Sequence, residues 1–410
     1  MIQNIIKVLE VFTKDLSKSH LINVEENGIM NKIKIAISLV VLITLFLSGC
    51  DEQESTDGDQ DSTPTTTQIL HEFPHISGYV TSGQDLLDVE EAKYDIVYTS
   101  DINQNAANQL KNRNPNTIIL FQSLATYMFD SAVPTIEATT GMDITDDFWL
   151  KDTGGERCGY GWTPEMWAID IRESNNIEIM SEFFSNVLIY QPQYDGLFFD
   201  VIEEFSRCNS MSDSEWVEQT TELLEAIRDK IGDKIILTNS GFNYDTSTPY
   251  LQYLNGYAME SFLSGAAEFD EGLSTVSLML EKTVEPHYLI YTVYSENTVT
   301  KEQVDIKNMR LALTLSLLNN NTYLSYDNKM EEIGSVLWQQ EFSADLGEPL
   351  GSYYEEDGAY WRDFENGVVI SSPDTIVTAS FDEQYTDVTS GEVSDSFTIA
   401  EGDGRIFIKS

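Results

Sequence analysis

The chain of 410 residues carries 69 Asp and Glu residues against 23 Lys and Arg residues, a formal net charge of −46. Nucleic acids and anionic membrane surfaces bind proteins through clustered cations, so this charge excludes both as partners of the folded chain. It also disfavours a strongly polyanionic substrate, and solubility in a saline habitat is the simplest explanation for it.

The N-terminal residues predict an exported lipoprotein. Met30 begins a short positively charged stretch, and an apolar run follows at 35–47. This order is that of a secretory signal, and the run is too short for a comfortable membrane span. The ending Leu-Ser-Gly-Cys resembles a bacterial lipobox, which predicts a diacylated Cys50 at the mature N-terminus. An ordinary N-terminal membrane anchor with an incidental cysteine is the alternative.

These features divide the chain into segments. We expect 1–29 to be untranslated or disordered, because Met30 is the better start, and 30–50 to be the lipoprotein signal peptide. Residues 51–68 are rich in Asp, Ser and Thr and have no large apolar side chain, which predicts an acidic flexible tether. The remainder would form a catalytic domain at 69–345 and a small β-domain at 346–410. Such a protein sits outside the bacterial membrane, on its periplasmic or cell-surface side, and contacts that membrane only through its lipid anchor.

Short apolar runs alternate with amphipathic stretches from residue 76 onward. Eight alternating strands and helices over about 250 residues predict an α/β fold, the (β/α)8 TIM barrel. A doubly wound open sheet is the competing fold, but no Gly-rich phosphate loop follows the first strand. The predicted strands lie at 76–80, 94–99, 117–124, 196–201, 234–239, 256–261, 288–294 and 322–326.

The pattern changes after residue 345. Short strand-like pieces are separated by turns such as Glu365-Asn366-Gly367, and no stretch has helical periodicity. This part predicts a small antiparallel, β-sandwich-like domain that packs on the barrel.

One carboxylate interrupts the apolar run of the fourth predicted strand. Asp200 lies at its C-terminal end, where the chemistry of a parallel barrel takes place, and a carboxylate in such a strand is costly unless it is paired or faces a cleft. The alternative is that Asp200 caps the next helix or pairs with an Arg. Glu203 follows closely, and we expect it at the start of that helix, where the helix dipole favours an acid.

Asp200 and Glu260 are the predicted catalytic pair. Each is the single acid that closes an apolar strand, and each strand is opened by Gly. Two carboxylates hydrolyse a glycosidic bond when one is protonated and the other ionised. We expect Glu260, among Tyr257, Met259 and Phe262, to hold the proton, and Asp200, beside a helix start, to be the anion. A buried salt bridge is the alternative role of Glu260, and Glu203 is the next candidate for the second carboxylate.

The other predicted strand ends carry amides, acids and aromatic rings, which suit the hydroxyls and C–H faces of a sugar. Phosphate would need Arg, Lys or a Gly-rich loop, and no His lies in the predicted cleft, so we expect no metal, no cofactor and no Ser-His-Asp chemistry. The predicted substrate-binding residues are Glu203, Asn239, Tyr127, Trp167, Asp170, Tyr291, Tyr326 and Asp327.

Two cysteines remain in the folded part. Cys158 and Cys208 are expected in loops at the same end of the barrel, before and after the fourth strand. An exported protein meets an oxidising environment, so a disulfide between them is one prediction, and two buried free thiols are the alternative.

Several of these segments together resemble a known family. The segments at 194–200, 259–260, 346–351 and 361–367 are similar to glycosyl-hydrolase-like proteins called hypothetical family fifteen, over most of 75–410. The resemblance implies a TIM-barrel glycosidase with a C-terminal β-domain. It also implies an Asp on the fourth strand and a Glu on the sixth as candidate catalytic groups, and it gives no substrate.

Two functions fit the sequence. The first is a lipid-anchored glycoside hydrolase that cleaves an external poly- or oligosaccharide with two carboxylates. The second is a non-catalytic surface lipoprotein that binds glycans on a barrel scaffold, and the fold alone does not separate them. A binding protein would tolerate the loss of one acid, and both are present here, which favours the hydrolase.

Overall fold

The computed structural model describes the chain in nine stretches. The signal peptide, the tether and Cys50 of the sequence prediction lie outside them, and Gln68–Ser410 forms one compact unit. The described residues are 73–79, 93–100, 102–161, 163, 165–239, 248–263, 269–295, 306–328 and 338–410.

Eight parallel strands close into a barrel, which confirms the predicted TIM-barrel fold. Numbered along the chain, they neighbour one another in the order β1-β10-β9-β8-β7-β6-β3-β2. Their bounds are β1 (Ile76–Tyr79), β2 (Ile96–Thr99), β3 (Ile118–Leu124), β6 (Gly196–Asp200), β7 (Ile235–Asn239), β8 (Gly256–Met259), β9 (Tyr288–Ser295) and β10 (Thr322–Asn328).

Helices separate most of the strands. The helix Asp213–Ile231 (α4) begins after Ser212, whose hydroxyl accepts the Glu215 N–H at 3.3 Å, an N-cap that the sequence encodes. In the described residues, no helix is long and apolar enough to cross a membrane. The bounds are α1 (Gln104–Arg113), α2 (Val133–Thr140), α3 (Ser174–Tyr190), α4 (Asp213–Ile231), α5 (Phe269–Lys282) and α6 (Ile306–Leu317).

Side chains of the barrel strands alternate between the barrel interior and the helix layer. The interior mixes aliphatic and aromatic side chains, and the rings of Tyr98 and Phe198 stack there with centroids 4.2 Å apart. Leu197 and Phe199, one position away, pack outward with the helices. This alternation fixes which residue at each strand end faces the mouth of the barrel.

The two glycines that open β6 and β8 allow close approach of neighbouring backbones. A Cβ atom on Gly196 would collide with the Ile235 carbonyl, and one on Gly256 would collide with the Tyr288 carbonyl. Only glycine at these positions lets each strand lie at hydrogen-bonding distance from its neighbour.

An irregular segment separates β3 from β6. It contains α2 and a short antiparallel pair, β4 (Tyr127–Phe129) and β5 (Met166–Ala168). Cys158 in this segment forms a disulfide with Cys208 in the β6–α4 loop, with Cα atoms 5.6 Å apart. This separation lies within the range for a disulfide, so the segment is tied to the exit of the fourth barrel strand.

The C-terminal domain contains six antiparallel strands that are hydrogen-bonded into one sheet. One face covers an apolar core that includes Trp361, Ile370 and Phe407. Its order is β11-β12-β13-β16-β14-β15. The bounds are β11 (Tyr354–Glu356), β12 (Ala359–Asp363), β13 (Gly367–Ser372), β14 (Val377–Asp387), β15 (Val393–Ile399) and β16 (Asp403–Lys409).

The sheet packs on α6 through polar contacts. Arg310 donates from Nε and Nη2 to the two oxygens of Asp403, both at 2.8 Å. The hydroxyls of Thr314 and Ser371 lie 2.8 Å apart. Gly404 has no side chain, and a Cβ there would collide with Thr314, so the sheet and helix approach closely at this point.

Candidate active site

Asp200 and Glu260 lie at the same end of the barrel. Asp200 is two residues after the interior residue Phe198, and Glu260 is two residues after Ala258, whose side chain also faces the interior. Because the side-chain direction repeats every two residues and all eight strands are parallel, both carboxylates face the C-terminal mouth of the barrel. The predicted catalytic residues are therefore brought to one site.

Asn239 at the end of β7 links the two carboxylates. Its Nδ2 atom donates to Oδ1 of Asp200 at 3.0 Å and to Oε2 of Glu260 at 2.9 Å. One nitrogen reaches both oxygens, so these two oxygens are at most about 6 Å apart. Asn239, which the sequence predicts to bind substrate, bridges the two acids through its amide nitrogen.

Each carboxylate has a further donor. Tyr294 on β9 donates its hydroxyl to Oε1 of Glu260 at 2.8 Å, and the backbone N–H of Val201 donates to Oδ1 of Asp200 at 3.0 Å. Both oxygens of Glu260 thus accept a hydrogen bond. For Asp200, the two donors found among the described residues reach the same oxygen, Oδ1.

The backbone is strained immediately after each acid. Val201 has φ of 57° and Ser261 has φ of 55°. A β-branched residue in the left-handed region is uncommon and costs about 1–3 kcal/mol. Such strain persists where the surrounding structure imposes it.

The electrostatics of Asp200 differ from the expectation. Burial raises its pKa to about 6, the negative charge of Glu260 adds to this, and the hydrogen bonds from Asn239 and Val201 oppose it. The prediction that a helix start would keep Asp200 ionised is wrong, because α4 begins only at Asp213, after a loop.

Glu203 does not lie at a helix start either. Its side chain is buried, and the guanidinium of Arg207 binds both of its oxygens, with Nε donating to Oε2 at 2.8 Å. Its burial leaves little of this carboxylate exposed to a sugar hydroxyl. Glu203 instead anchors Arg207 beside the site.

The prediction that three aromatic residues bind substrate is wrong, because their side chains lie in the core. Tyr127 is 1% exposed and packs against Trp216. Tyr291 points outward and donates to the Gly272 carbonyl of α5 at 2.8 Å. Tyr326 also points outward, toward Phe342. The strand alternation explains the last two, since each is displaced by one position from the interior face.

The remaining predicted binding residues have mixed outcomes. Trp167 is half-buried and donates from Nε1 to Asp130 at 3.0 Å. Both oxygens of Asp170 are bound by Arg172. Asp327 of β10 pairs in register with Tyr294 of β9, and the Asp327 side chain lies outside the described part of the structure.

Sequence reasoning missed two residues of the site. The guanidinium carbon of Arg207 lies 4.4 Å from the ring centroid of Tyr160. Tyr160 is half-buried, and the charges of Asp200 and Glu260 both help to raise its pKa, after burial and the charge of Glu203. The available signal was the position of these residues next to Cys158 and Cys208.

Across the described residues, no group of three or more His, Cys, Asp or Glu side chains is placed to hold a metal ion. The acids of the site are engaged by Asn239, Tyr294 and Arg207.

A parallel barrel with two adjacent acids at its C-terminal end is the arrangement of a TIM-barrel glycoside hydrolase. The chain belongs to the hypothetical glycosyl hydrolase family 15, whose sequence profile matches residues 111–368. This confirms the resemblance seen in the sequence. A comparison with curated proteins found no match.

Solved structures share the fold at low sequence identity. A noncanonic maltogenic α-amylase, AmyB from Thermotoga neapolitana, aligns over 82% of this chain and 99% of its own, with TM-score 0.50 and 9% identity. Amy13B from Eubacterium rectale aligns over 83% of this chain and 97% of its own, with TM-score 0.51 and 8% identity. At these identities the similarity concerns the fold alone.

Proposed function

We propose that this protein is a glycoside hydrolase that cleaves an extracellular poly- or oligosaccharide with Asp200 and Glu260. The observation that carries the proposal is the single amide of Asn239 shared by the two carboxylates. It supports a pair of acids held at fixed separation at the end of the barrel where substrates of this fold bind.

The separation supports retention of anomeric configuration. Two oxygens bound to one nitrogen are about 5 Å apart when the two hydrogen bonds diverge by about 120°. Retaining enzymes place their carboxyl groups about 5–5.5 Å apart, whereas inverting enzymes leave about 6.5–9.5 Å for a water molecule. The short spacing therefore favours a covalent glycosyl-enzyme over direct attack by water.

The local contacts favour Asp200 as the acid, the reverse of the assignment made from the sequence. Burial raises the pKa of Asp200 to about 6, and its donors leave Oδ2 to carry the proton. Glu260 accepts a donor on each oxygen, an arrangement that stabilises a carboxylate anion. Glu260 is accordingly the nucleophile in this proposal.

The reaction then takes two steps. Glu260 attacks the anomeric carbon as Asp200 gives its proton to the leaving glycosidic oxygen, which breaks the C–O bond and forms a glycosyl ester. Asp200, now ionised, removes a proton from water, and the resulting attack on the anomeric carbon releases the sugar and restores the Glu260 carboxylate. Asn239 holds both acids in position throughout.

Hydrolysis of a defined substrate panel tests the proposal. Purified protein is assayed with 4-nitrophenyl α- and β-glycosides and with neutral oligosaccharides. The anomer first released is identified by proton NMR. We expect turnover with retention, and loss of turnover in Glu260→Gln. The matched control is Glu222→Gln on the exposed surface of α4, which should retain full activity.

Two results would count against the proposal. Equal turnover by the wild type and Glu260→Gln would remove the pair from catalysis. Sugar binding without turnover by the wild type would instead support a non-catalytic glycan-binding protein.

We also propose that the protein is a lipoprotein of the bacterial cell envelope. The charged stretch, apolar run and Leu-Ser-Gly-Cys order at 30–50 support it. Mass spectrometry of the membrane-extracted protein should find an N-terminal diacylated Cys50. An unmodified Cys50, or an intact Met1, would contradict this localisation.

A further inference from the structure

Two side chains beside the carboxylate pair are joined to the disulfide. Tyr160 follows Cys158 by two residues, and Arg207 directly precedes Cys208. The Arg207 guanidinium covers the Tyr160 ring at 4.4 Å. The disulfide, the ring and the guanidinium thus form one cross-link between the β3–β6 segment and the β6–α4 loop.

Tyr160 is held on its other sides by backbone and by packing. Its N–H donates to the Met166 carbonyl at 3.0 Å, and its ring meets the ring of Tyr127 edge-on, with centroids 5.3 Å apart. The side chain is still only half-buried. Tyr127 follows Thr126, whose hydroxyl donates to the Val201 carbonyl at 3.5 Å, so the partly exposed Tyr160 ring lies near the strand end that carries Asp200. Besides burial, the charges of Asp200 and Glu260 also help to raise the pKa of Tyr160.

Arg207 does not act as a free cation in this arrangement. Glu203 is 7% exposed and binds the guanidinium with both oxygens. A substrate carboxylate that drew Arg207 away would leave Glu203 buried and unpaired, which is strongly unfavourable. The ionised Glu260 carboxylate also repels an anionic sugar.

We propose that Tyr160 stacks on an uncharged sugar at the cleavage site, and that Arg207 and the Cys158–Cys208 disulfide position its ring. Aromatic side chains bind the apolar face of a ligand at low entropic cost when their own conformation is fixed. This inference rests on the proposed glycosidase function and adds the class of substrate that the site accepts.

Substitution of Tyr160 tests the stacking. On a neutral glycoside that the wild type cleaves, Tyr160→Ala should raise KM about tenfold, an effect of the size expected for one aromatic contact. Tyr160→Phe keeps the ring and should stay within about twofold of the wild type. Tyr190→Ala, on an exposed ring at the end of α3, is the matched control and should change nothing.

Opening of the disulfide tests the positioning. The wild type reduced with dithiothreitol and the variant Cys158→Ser/Cys208→Ser should both show the raised KM of Tyr160→Ala, with kcat changed less. The thermal melting curve is recorded for each, and assays are run below the onset of unfolding. Unchanged KM in a folded protein with both thiols titratable would overturn the positioning role.

Charged substrates separate the remaining outcomes. We expect a neutral hexoside to be cleaved at least about tenfold better than the matching hexuronide, and the reverse order would overturn the inference. A wild type that cleaves nothing in the panel contradicts the proposed function. In that case, calorimetry measures the binding of neutral tetrasaccharides to the wild type and to Tyr160→Ala. The stacking by Tyr160 is overturned if neither protein binds them or if both bind them equally well.

Discussion

Asp200 and Glu260 accept hydrogen bonds from the same nitrogen atom, at 3.0 and 2.9 Å. Two carboxylates that share one donor lie close enough to interact electrostatically, and the charge of Glu260 helps to raise the pKa of Asp200. Protonation of Asp200 therefore removes the repulsion that couples the two acids. This coupling governs the expected response of the enzyme to pH and to substitution.

The activity should fall as the pH rises through about 6. If Asp200 is the acid, its protonated form is needed, and a pKa of about 6 places the loss of that form at this pH. The measurement is kcat/KM against pH on a neutral glycoside. A kcat/KM that rises across the same interval would contradict the role of Asp200 as the acid.

The stability should also fall over this interval. The pKa of Asp200 is raised from 3.8 to about 6 on folding, so between these values the folded state binds more protons than the unfolded state. The free energy of unfolding then decreases as pH rises through this window, by on the order of 1–3 kcal/mol, and the penalty persists above it.

Asp200→Asn removes the group whose charge is disfavoured by folding. Its free energy of unfolding, from denaturant titrations at pH 4 to pH 8, should therefore exceed that of the wild type above pH 6. Asp374→Asn, at an exposed position in the β-domain, is the control. An Asp200→Asn curve parallel to that of the wild type would show that Asp200 does not titrate in this window.

Asn239→Ala should lower kcat at least about tenfold, because it removes a hydrogen bond from each carboxylate. The hydrogen bond from Asn239 also lowers the pKa of Asp200. Its removal should move the high-pH loss of activity to a higher pH. The two effects are read from one pH–rate profile, and a profile identical to that of the wild type would exclude the bridging role.

The β-domain should depend on the ion pair between Arg310 and Asp403. Both side chains are largely buried, and Asp403→Asn leaves the Arg310 charge without its partner. The expected loss in free energy of unfolding is about 3 kcal/mol, measured by denaturant titration. A loss below about 0.5 kcal/mol, as for a surface pair, would show that this contact does not hold the sheet on α6.

The fold and the two acids were predictable because each depends on local patterns. The apolar run before Asp200, its C-terminal acid and the preceding Gly196 together specify a barrel strand that ends in a functional group. The same pattern precedes Glu260, after Gly256. Both glycines are required because a Cβ atom would collide with the backbone of the next strand, so their positions in the sequence mark where barrel strands begin.

The incorrect assignment of aromatic residues to substrate binding shows where the sequence analysis failed. Tyr291 and Tyr294 both lie on β9, but they point to opposite sides of the barrel wall. The strand period of two, applied from the interior residue Ile290, selects Tyr294 and rejects Tyr291. That information was in the sequence.

The position of Tyr160 was not recoverable in this way. It depends on the irregular segment between β3 and β6, which is joined to the β6–α4 loop by the disulfide and by the contact of Arg207 with Tyr160. Contacts between residues so far apart leave no periodic signal in the sequence.

The dependence of turnover on the leaving group tests the central claim most directly. Asp200→Asn and Glu260→Gln are compared with the wild type on two neutral aryl glycosides. One releases 2,4-dinitrophenolate, which departs without a proton, and the other releases a poor leaving group that needs one. We predict that Asp200→Asn retains turnover only on the dinitrophenyl glycoside, and that Glu260→Gln is inactive on both. The opposite pattern would exchange the two roles, and near-wild-type turnover by both variants on both substrates would contradict catalysis by this pair.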